Sequence, residues 1–362
     1  METTAMVLQA PGRPLEERHF EVDVDPHYIV VRIAAAGVCG SDVHMFHGKD
    51  DRVPFPIILG HEGVGILEYL PDGLVDITGK PLSSGDLVIW NRGLSCGHCY
   101  FCAVKKIPSL CPNRKAYGIN MSCKDYPHLS GCYARHIVIA PGTDFIKLDQ
   151  AVVNDPAIMV AAACSGATVA HAFELVRPDM GDTVVVQGPG PLGIFACAFA
   201  RAYGAENVIV IGGTDSRLEL CRHVGAITLN RNKTTEGERR DFIRRFTDGR
   251  GADMVVETVG TAAAVREGLS LVRQGGAYLS AGFGAPGGLV EIDPFGDITR
   301  RNIRYQGVWV SDTRHVFDAV SLVKKMPEFF IKLVTHRFPL SEANAALAAM
   351  EHREVIKAVL IP

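Results

Sequence analysis

The sequence predicts an α/β protein of two domains. A β domain comes first, a doubly wound parallel-sheet domain interrupts it, and the chain then returns to the first. Three observations carry this. The first 150 residues hold short alternating apolar runs broken by turn residues. From about residue 155, short apolar runs bounded by glycine alternate with helical patterns. The chain has 362 residues, more than one hydrophobic core usually serves.

Taken in order, HYIVVRIAAAGVCG (27–40), HEGVGILEYL (61–70) and GDLVIW (85–90) read as strands of an antiparallel domain. DPAIMVAAACSGATVAHAFELV (155–176) has helical length and small residues. DTVVVQG (182–188), NVIVIGG (207–213), DMVVETVG (253–260) and GAYLSAGF (276–283) read as buried parallel strands. LGIFACAFARAYGA (192–205) and SRLELCRHVGA (216–226) read as helices between them. Beyond about residue 310, HVFDAVSLVKKM and LSEANAALAAMEH read as helices and IKAVLIP as a strand. The expected domains are 1–158 with 310–362, and 159–309.

Composition narrows the function. The chain is 47% hydrophobic and 21% charged, with a formal net charge of −3 and both signs mixed. That argues against nucleic acid or an anionic membrane as main partner. No apolar run reaches the length of a membrane span. The start, METTAMVLQAPGRPLEE, lacks the basic and apolar regions of a secretion signal. A cytoplasmic location is therefore expected, where ten cysteines serve as metal ligands or buried small residues rather than as disulfides.

GPGPLG places Gly188, Gly190 and Gly193 as G-x-G-x-x-G after an apolar strand, with Pro191 and Leu192 opening a helix. The first glycine allows a tight turn, the second lets backbone approach a pyrophosphate, and the third lets helix pack on strand. The helix N-terminus binds phosphate. The next strand should end in an acid that holds the ribose hydroxyls. It ends VIVIGGTDSR, with Gly212 at the expected position and Asp215 nearby. Arg217 could serve a ribose or a phosphate, but Asp215 would repel a 2′-phosphate, so NAD is expected over NADP.

GLSCGHCYFCAVKKIPSLC sets Cys96, Cys99, Cys102 and Cys111 as C-x2-C-x2-C-x8-C. Four thiolates can close a tetrahedral zinc shell or hold an iron–sulfur cluster. A closed shell has no open position, so such a zinc would be structural. Cys39, Ser41, Asp42 and His44 lie in GVCGSDVH, His61 and Glu62 in GHEGVG, and Cys164 in CSGAT. Two cysteines with one histidine suit a catalytic zinc. No local spacing rule brings Cys39, His61 and Cys164 together.

GVCGSDVH, GHEGVG, the four-cysteine lobe, CSGAT, GPGPLG, VVETVG and EVIKAVLIP, in this order, resemble the zinc-dependent medium-chain alcohol dehydrogenase family over essentially the whole length. The resemblance implies a GroES-like catalytic domain and a Rossmann coenzyme domain. It implies two zinc ions per chain. Cys39, His61 and Cys164 would bind the catalytic zinc, with Glu62 beside it and Asp42 orienting His61. Ser41 and His44 would form the proton relay. Cys96, Cys99, Cys102 and Cys111 would hold the structural zinc. Thr168 would lie near the nicotinamide and Lys357 would face the pyrophosphate. The implied activity is hydride transfer between a primary or secondary alcohol, or in reverse an aldehyde or ketone, and NAD(P). A homodimer or homotetramer is implied as well.

Three departures matter. Cys164 stands where the polyol branch of the family often has Glu, which disfavours a sorbitol-type enzyme. The last lobe cysteine follows eight residues where seven is usual. The acid of the second parallel strand is missing. The segment before the lobe lines the substrate pocket in the family, and here it carries Trp90 and Arg92. Arg92 raises the prospect of a carboxylate-, sulfonate- or phosphonate-bearing alcohol. The competing expectation has Arg92 facing solvent or paired with Asp50 or Asp51. Further alternatives are a polyol or amino-alcohol dehydrogenase, an enzyme working mainly as a reductase, and a zinc-free quinone-reductase-like protein or NAD(P)-binding sensor of the same fold.

Overall fold

Strand and helix alternate in the order read from the sequence, and the chain divides into two compact units in a computed structural model that describes residues 1–149 and 154–362. The first unit is Met1–Ala167 with Ser311–Pro362, and the second is Thr168–Val310.

The first unit is built on antiparallel strands. Ile29–Val38 pairs with Gly63–Tyr69, which pairs with Leu87–Trp90. The C-terminal strand Lys357–Ile361 joins the other edge of Ile29–Val38. Residues at 358–360 thereby lie opposite 36–38, so the end of the chain braces the strand that leads to Cys39. A smaller sheet, Glu2–Leu8 with Glu16–Glu21 and Ile57–Ile58, was not anticipated from the sequence. Its second strand, EERHFE, is largely exposed and lacks apolar alternation. The core of this unit gathers Val31, Ile33, Leu67, Trp90, Tyr117, Tyr133 and Leu360 among others.

The second unit holds a six-stranded parallel sheet. Numbered along the chain, Thr183–Gln187, Asn207–Gly212, Ile227–Asn230, Ala252–Glu257, Val272–Ser280 and Arg304–Gly307 lie in the order 3-2-1-4-5-6. This order reverses beside the first strand, which is where such sheets bind dinucleotides. The third and sixth strands escape sequence reading because both are short and partly exposed.

The segment 155–176 is not one helix. Pro156–Ala163 is a 3-10 helix and Ser165–Leu175 an α-helix, and Cys164 between them has φ −128° and ψ −74°. No single helix is long and apolar enough to cross a membrane among the described residues.

Candidate active site

Cys39 caps a short helix, Gly40–Phe46, at the end of the strand Ile29–Val38. Its backbone N–H donates to Asp42 Oδ2 at 2.8 Å. His61 and Glu62 follow Gly60, whose φ of +92° only glycine adopts readily. A Cβ at Gly60 would meet the Tyr133 ring at 2.4 Å. Cys164 sits at the helix break just described. Three remote segments thus bring one ligand atom each from Cys39, His61, Glu62 and Cys164 within 4.8 Å of one another, all buried.

Asp42 is wholly buried and makes three bonds at this site. Besides Cys39 N–H, it accepts Tyr133 O–H at 3.1 Å, and its Oδ1 lies 3.2 Å from His61 Nδ1. With Nδ1 donating to Asp42, His61 Nε2 is left as the ligating nitrogen. Burial opposes a charged imidazole, but the Asp42 carboxylate and Cys39 together push His61 up to about 10. The Cys164 thiol hydrogen bond outweighs burial and holds Cys39 well below the usual thiol value, while that same bond and burial push Cys164 up. Two sulfurs and one imidazole nitrogen, with a carboxylate at hand, are the donor set of a zinc site that keeps an open position. Tyr133 was missed in the sequence, because a residue 91 positions beyond Asp42 carries no local signal.

Ser41 Oγ lies 3.7 Å from Cys39 Sγ, and His44 is one turn further along the same helix face. Burial, then the charge of Lys49, lowers His44 below its ordinary value.

Lys357, expected to face the pyrophosphate, is buried beside Glu62. Its side chain is 1% exposed, and Nζ donates to Glu62 Oε2 at 2.7 Å and to the Val38 carbonyl at 3.2 Å. A buried carboxylate beside it holds it inward. Glu62 Oε1 has no hydrogen-bond partner among the described residues.

Trp90, expected at the substrate pocket, is deeply buried. It is 2% exposed within the first unit's core, its ring against Gly63, where a Cβ would meet it at 2.6 Å. Arg92 neither faces solvent nor pairs with Asp50, whose carboxylate binds Arg52 at 2.6 Å. Arg92 is 4% exposed, and its Nη1 donates to the Ala163 carbonyl that the helix break leaves open.

In the lobe, Sγ–Sγ separations are 3.4 Å for Cys99–Cys102, 3.5 Å for Cys96–Cys111 and 3.9 Å for Cys99–Cys111. A tetrahedral zinc with bonds of about 2.3 Å sets its sulfurs about 3.8 Å apart. The unusual eight-residue spacing does not disperse the cluster. A helical turn at Tyr100–Val104, Lys106 at φ +57° and a 3-10 turn at Pro108–Leu110 take up the added length.

In the second unit, Gly188 has φ +99° and ends the first parallel strand. A Cβ at Gly193 would lie 1.7 Å from the Gly188 carbonyl oxygen, so helix and turn touch only if residue 193 is glycine. A Cβ at Gly190 would meet nothing within 4 Å. Gly190 caps the helix Pro191–Ala202, so open space lies before a helix N-terminus, a cradle that fits a pyrophosphate. Leu192 lies in the first turn of that helix. Thr258, unflagged by the sequence, donates to the Gln187 and Gly188 carbonyls and pins the turn. Gly212 cannot read a ribose: a Cβ there would meet the Pro189 ring at 2.4 Å. Asp215, just beyond it, binds Asn230 at 2.6 Å and Lys233 at 2.9 Å. Arg217 is half-buried in the helix Asp215–Arg222, and Thr168 is buried in Ser165–Leu175.

Residues 25–150 match the family described as alcohol dehydrogenase GroES-like domain, and residues 191–325 match zinc-binding dehydrogenase. A 5-exo-hydroxycamphor dehydrogenase of Pseudomonas putida is 33% identical, covering 93% of this chain and 92% of that protein. A sorbitol dehydrogenase of Halalkalibacterium halodurans is 31% identical, covering 95% and 96%. An alcohol dehydrogenase structure from Thermotoga maritima superposes with a TM-score of 0.97 at 48% identity over 100% of both chains. With two clusters that could hold a metal and a dinucleotide turn in place, the protein is a zinc oxidoreductase that moves hydride between a small alcohol and a nicotinamide cofactor. The chain belongs to the zinc-dependent medium-chain alcohol dehydrogenase family.

Proposed function

We propose that Cys39, His61 and Cys164 hold a catalytic zinc and that Cys96, Cys99, Cys102 and Cys111 hold a second, structural one. The observation that carries this is the convergence of both donor sets, each within 4.8 Å, with every cysteine among them free of a disulfide. The zinc supplies a Lewis acid that lowers the pKa of an alcohol hydroxyl, and the nicotinamide supplies the hydride acceptor.

The chain does the rest. Asp42 fixes the His61 tautomer and ring through Nδ1. Ser41 Oγ takes the alcohol proton, and His44, kept neutral by burial, passes it outward. Lys357 balances the buried Glu62 carboxylate beside the sulfurs. In the second unit, the turn at Gly188 and the open face of Gly190 receive the pyrophosphate. The half-buried Arg217 and Asp215 flank the adenosine ribose, and the Asp215 charge favours NAD over NADP. Ten free cysteines suit a reducing cytoplasm. A homodimer or homotetramer completes the reading.

Metal analysis of protein purified without chelators, paired with turnover on alcohols with NAD and with NADP, tests this. Two zincs per chain and turnover with NAD are expected. One zinc retained with full activity would remove the lobe from the metal assignment, and neither zinc nor turnover would overturn the reading.

A further inference from the structure

Arg92 and Arg114 lie on neighbouring segments, close enough that the charge of one acts on the other. The short ladder Gly93–Leu94 with Lys115–Ala116 brings their segments together, and Tyr117 N–H closes on the Arg92 carbonyl at 3.0 Å. The Arg114 guanidinium packs against Gly93. A Cβ there would sit 1.9 Å from Nη2, so glycine beside Arg92 is what makes room for the second arginine. Arg114 Nη2 donates to the Ser311 carbonyl at 3.2 Å. No carboxylate pairs with either arginine among the described residues, and Arg92 Nε is buried without a hydrogen-bond partner. Burial, then the charge of Arg92, pushes Arg114 down to about 10, with Asp312 partly offsetting them and Arg52 adding to them.

Buried cations whose charge is only partly offset are costly, and two together more so. Arg92 has one duty already, the Ala163 carbonyl. A cation needed only there, or only to favour the Cys164 thiolate next to it, would gain nothing from a second guanidinium at its side. Paired guanidinium forks match the oxygens of a carboxylate or phosphoryl group. We infer that Arg92 and Arg114 form a subsite for an oxyanion head group, and that the substrate is a short alcohol bearing one. The subsite lies one residue from Cys164, so it can hold one end of a molecule whose hydroxyl reaches the Cys39–His61–Cys164 cluster. The inference rests on the dehydrogenase reading for its substrate but not for its anion.

The test uses zinc-loaded enzyme and two readouts. Calorimetric titration of the enzyme–NADH complex with acetate and with inorganic phosphate reads the subsite alone. Kinetics on propan-1-ol, 3-hydroxypropanoate and 3-hydroxypropylphosphonate read it in turnover, and the better anion tells carboxylate from phosphoryl. One anionic alcohol should exceed propan-1-ol in kcat/KM by about ten- to a hundredfold, the range of one or two charge-assisted hydrogen bonds. Arg92→Met and, separately, Arg114→Met should each cut that ratio about tenfold and weaken anion binding alike, with Arg92→Lys recovering part. An equal loss on all three alcohols, with anion binding retained, would reduce Arg92 to a support for Cys164 and overturn the subsite. So would a wild type that binds neither anion and prefers propan-1-ol, which leaves the dehydrogenase reading intact. Anion binding that Arg92→Met abolishes, in an enzyme that turns over no alcohol, would keep the subsite and overturn the dehydrogenase reading.

Discussion

Replacing Lys357 with methionine tests the buried pair that the structure sets beside Cys39, His61 and Cys164. Glu62 is fully buried and Lys357 is 1% exposed, with Nζ 2.7 Å from Oε2. Methionine keeps much of the lysine stem, so the cavity is small and the lost charge dominates. Removing one partner of a buried pair costs about 3–5 kcal/mol, because the other is left uncompensated. Glu62 has no alternative donor to turn to, since Oε1 already lacks a partner among the described residues. For a unit of this size each kcal/mol moves the midpoint by about 2–4 °C, giving a drop in Tm of about 6–20 °C. Glu62→Gln added to Lys357→Met removes the stranded charge and should recover more than about 1 kcal/mol of the sum of single losses. Urea midpoints of the four proteins, zinc-loaded and chelated, give the cycle. A single-variant loss under about 1 kcal/mol, or strict additivity, would refute the argument that this pair is a mutually dependent buried unit.

The remaining predictions concern metal, coenzyme and proton. Cys96→Ser should lose one zinc per chain and melt earlier, whereas Cys39→Ser should lose turnover while the circular dichroism spectrum is kept; equal behaviour in metal analysis and melting would merge the two sites. Gly190→Ala should leave Tm unchanged, since its Cβ meets nothing within 4 Å, yet weaken NADH binding in a fluorescence titration at least tenfold. Burial, then the Lys49 charge, depresses His44 below 6.5, so the folded form favours the neutral ring. That contribution to stability is present above the unfolded value and is lost as pH falls through the folded one. Alcohol oxidation should therefore decline on an acid limb with its midpoint below 6.5, and His44→Gln should abolish that limb.

The parallel sheet was legible because its signals are local. Apolar runs such as TVVVQ and NVIVIG end at glycines, and the helix after Gly190 begins with Pro191. The glycines of that turn could be assigned in advance for the same reason: each answers a backbone demand within six residues. The catalytic cluster has no such signal. Cys39, His61 and Cys164 are joined only by the pairing of Ile29–Val38 with Gly63–Tyr69 and by a helix break, so resemblance alone could bring them together in advance. The burial of Lys357 and Trp90 was not legible for a related reason. Whether a strand residue faces a pocket or a core depends on the other face of the sheet, which residues far along the chain supply. Arg114 escaped altogether, because its neighbour across the ladder, Gly93, reads in the sequence as an ordinary loop glycine.

The break at Cys164 joins the Cys39–His61–Cys164 cluster to Arg92 by a backbone necessity. A continuous helix over 155–176 would satisfy the Ala163 carbonyl within itself and would carry the Cys164 side chain at a helical angle. Breaking the helix there gives the thiol its own direction toward Cys39 and His61, and it frees a buried carbonyl that must find a donor. Arg92 is that donor. A lysine could give one bond to this carbonyl, but only a guanidinium gives it and keeps further donors in a fixed plane beside it. The buried Arg92 Nε shows that donors remain. The geometry that turns Cys164 toward Cys39 and His61 therefore also selects an arginine at position 92.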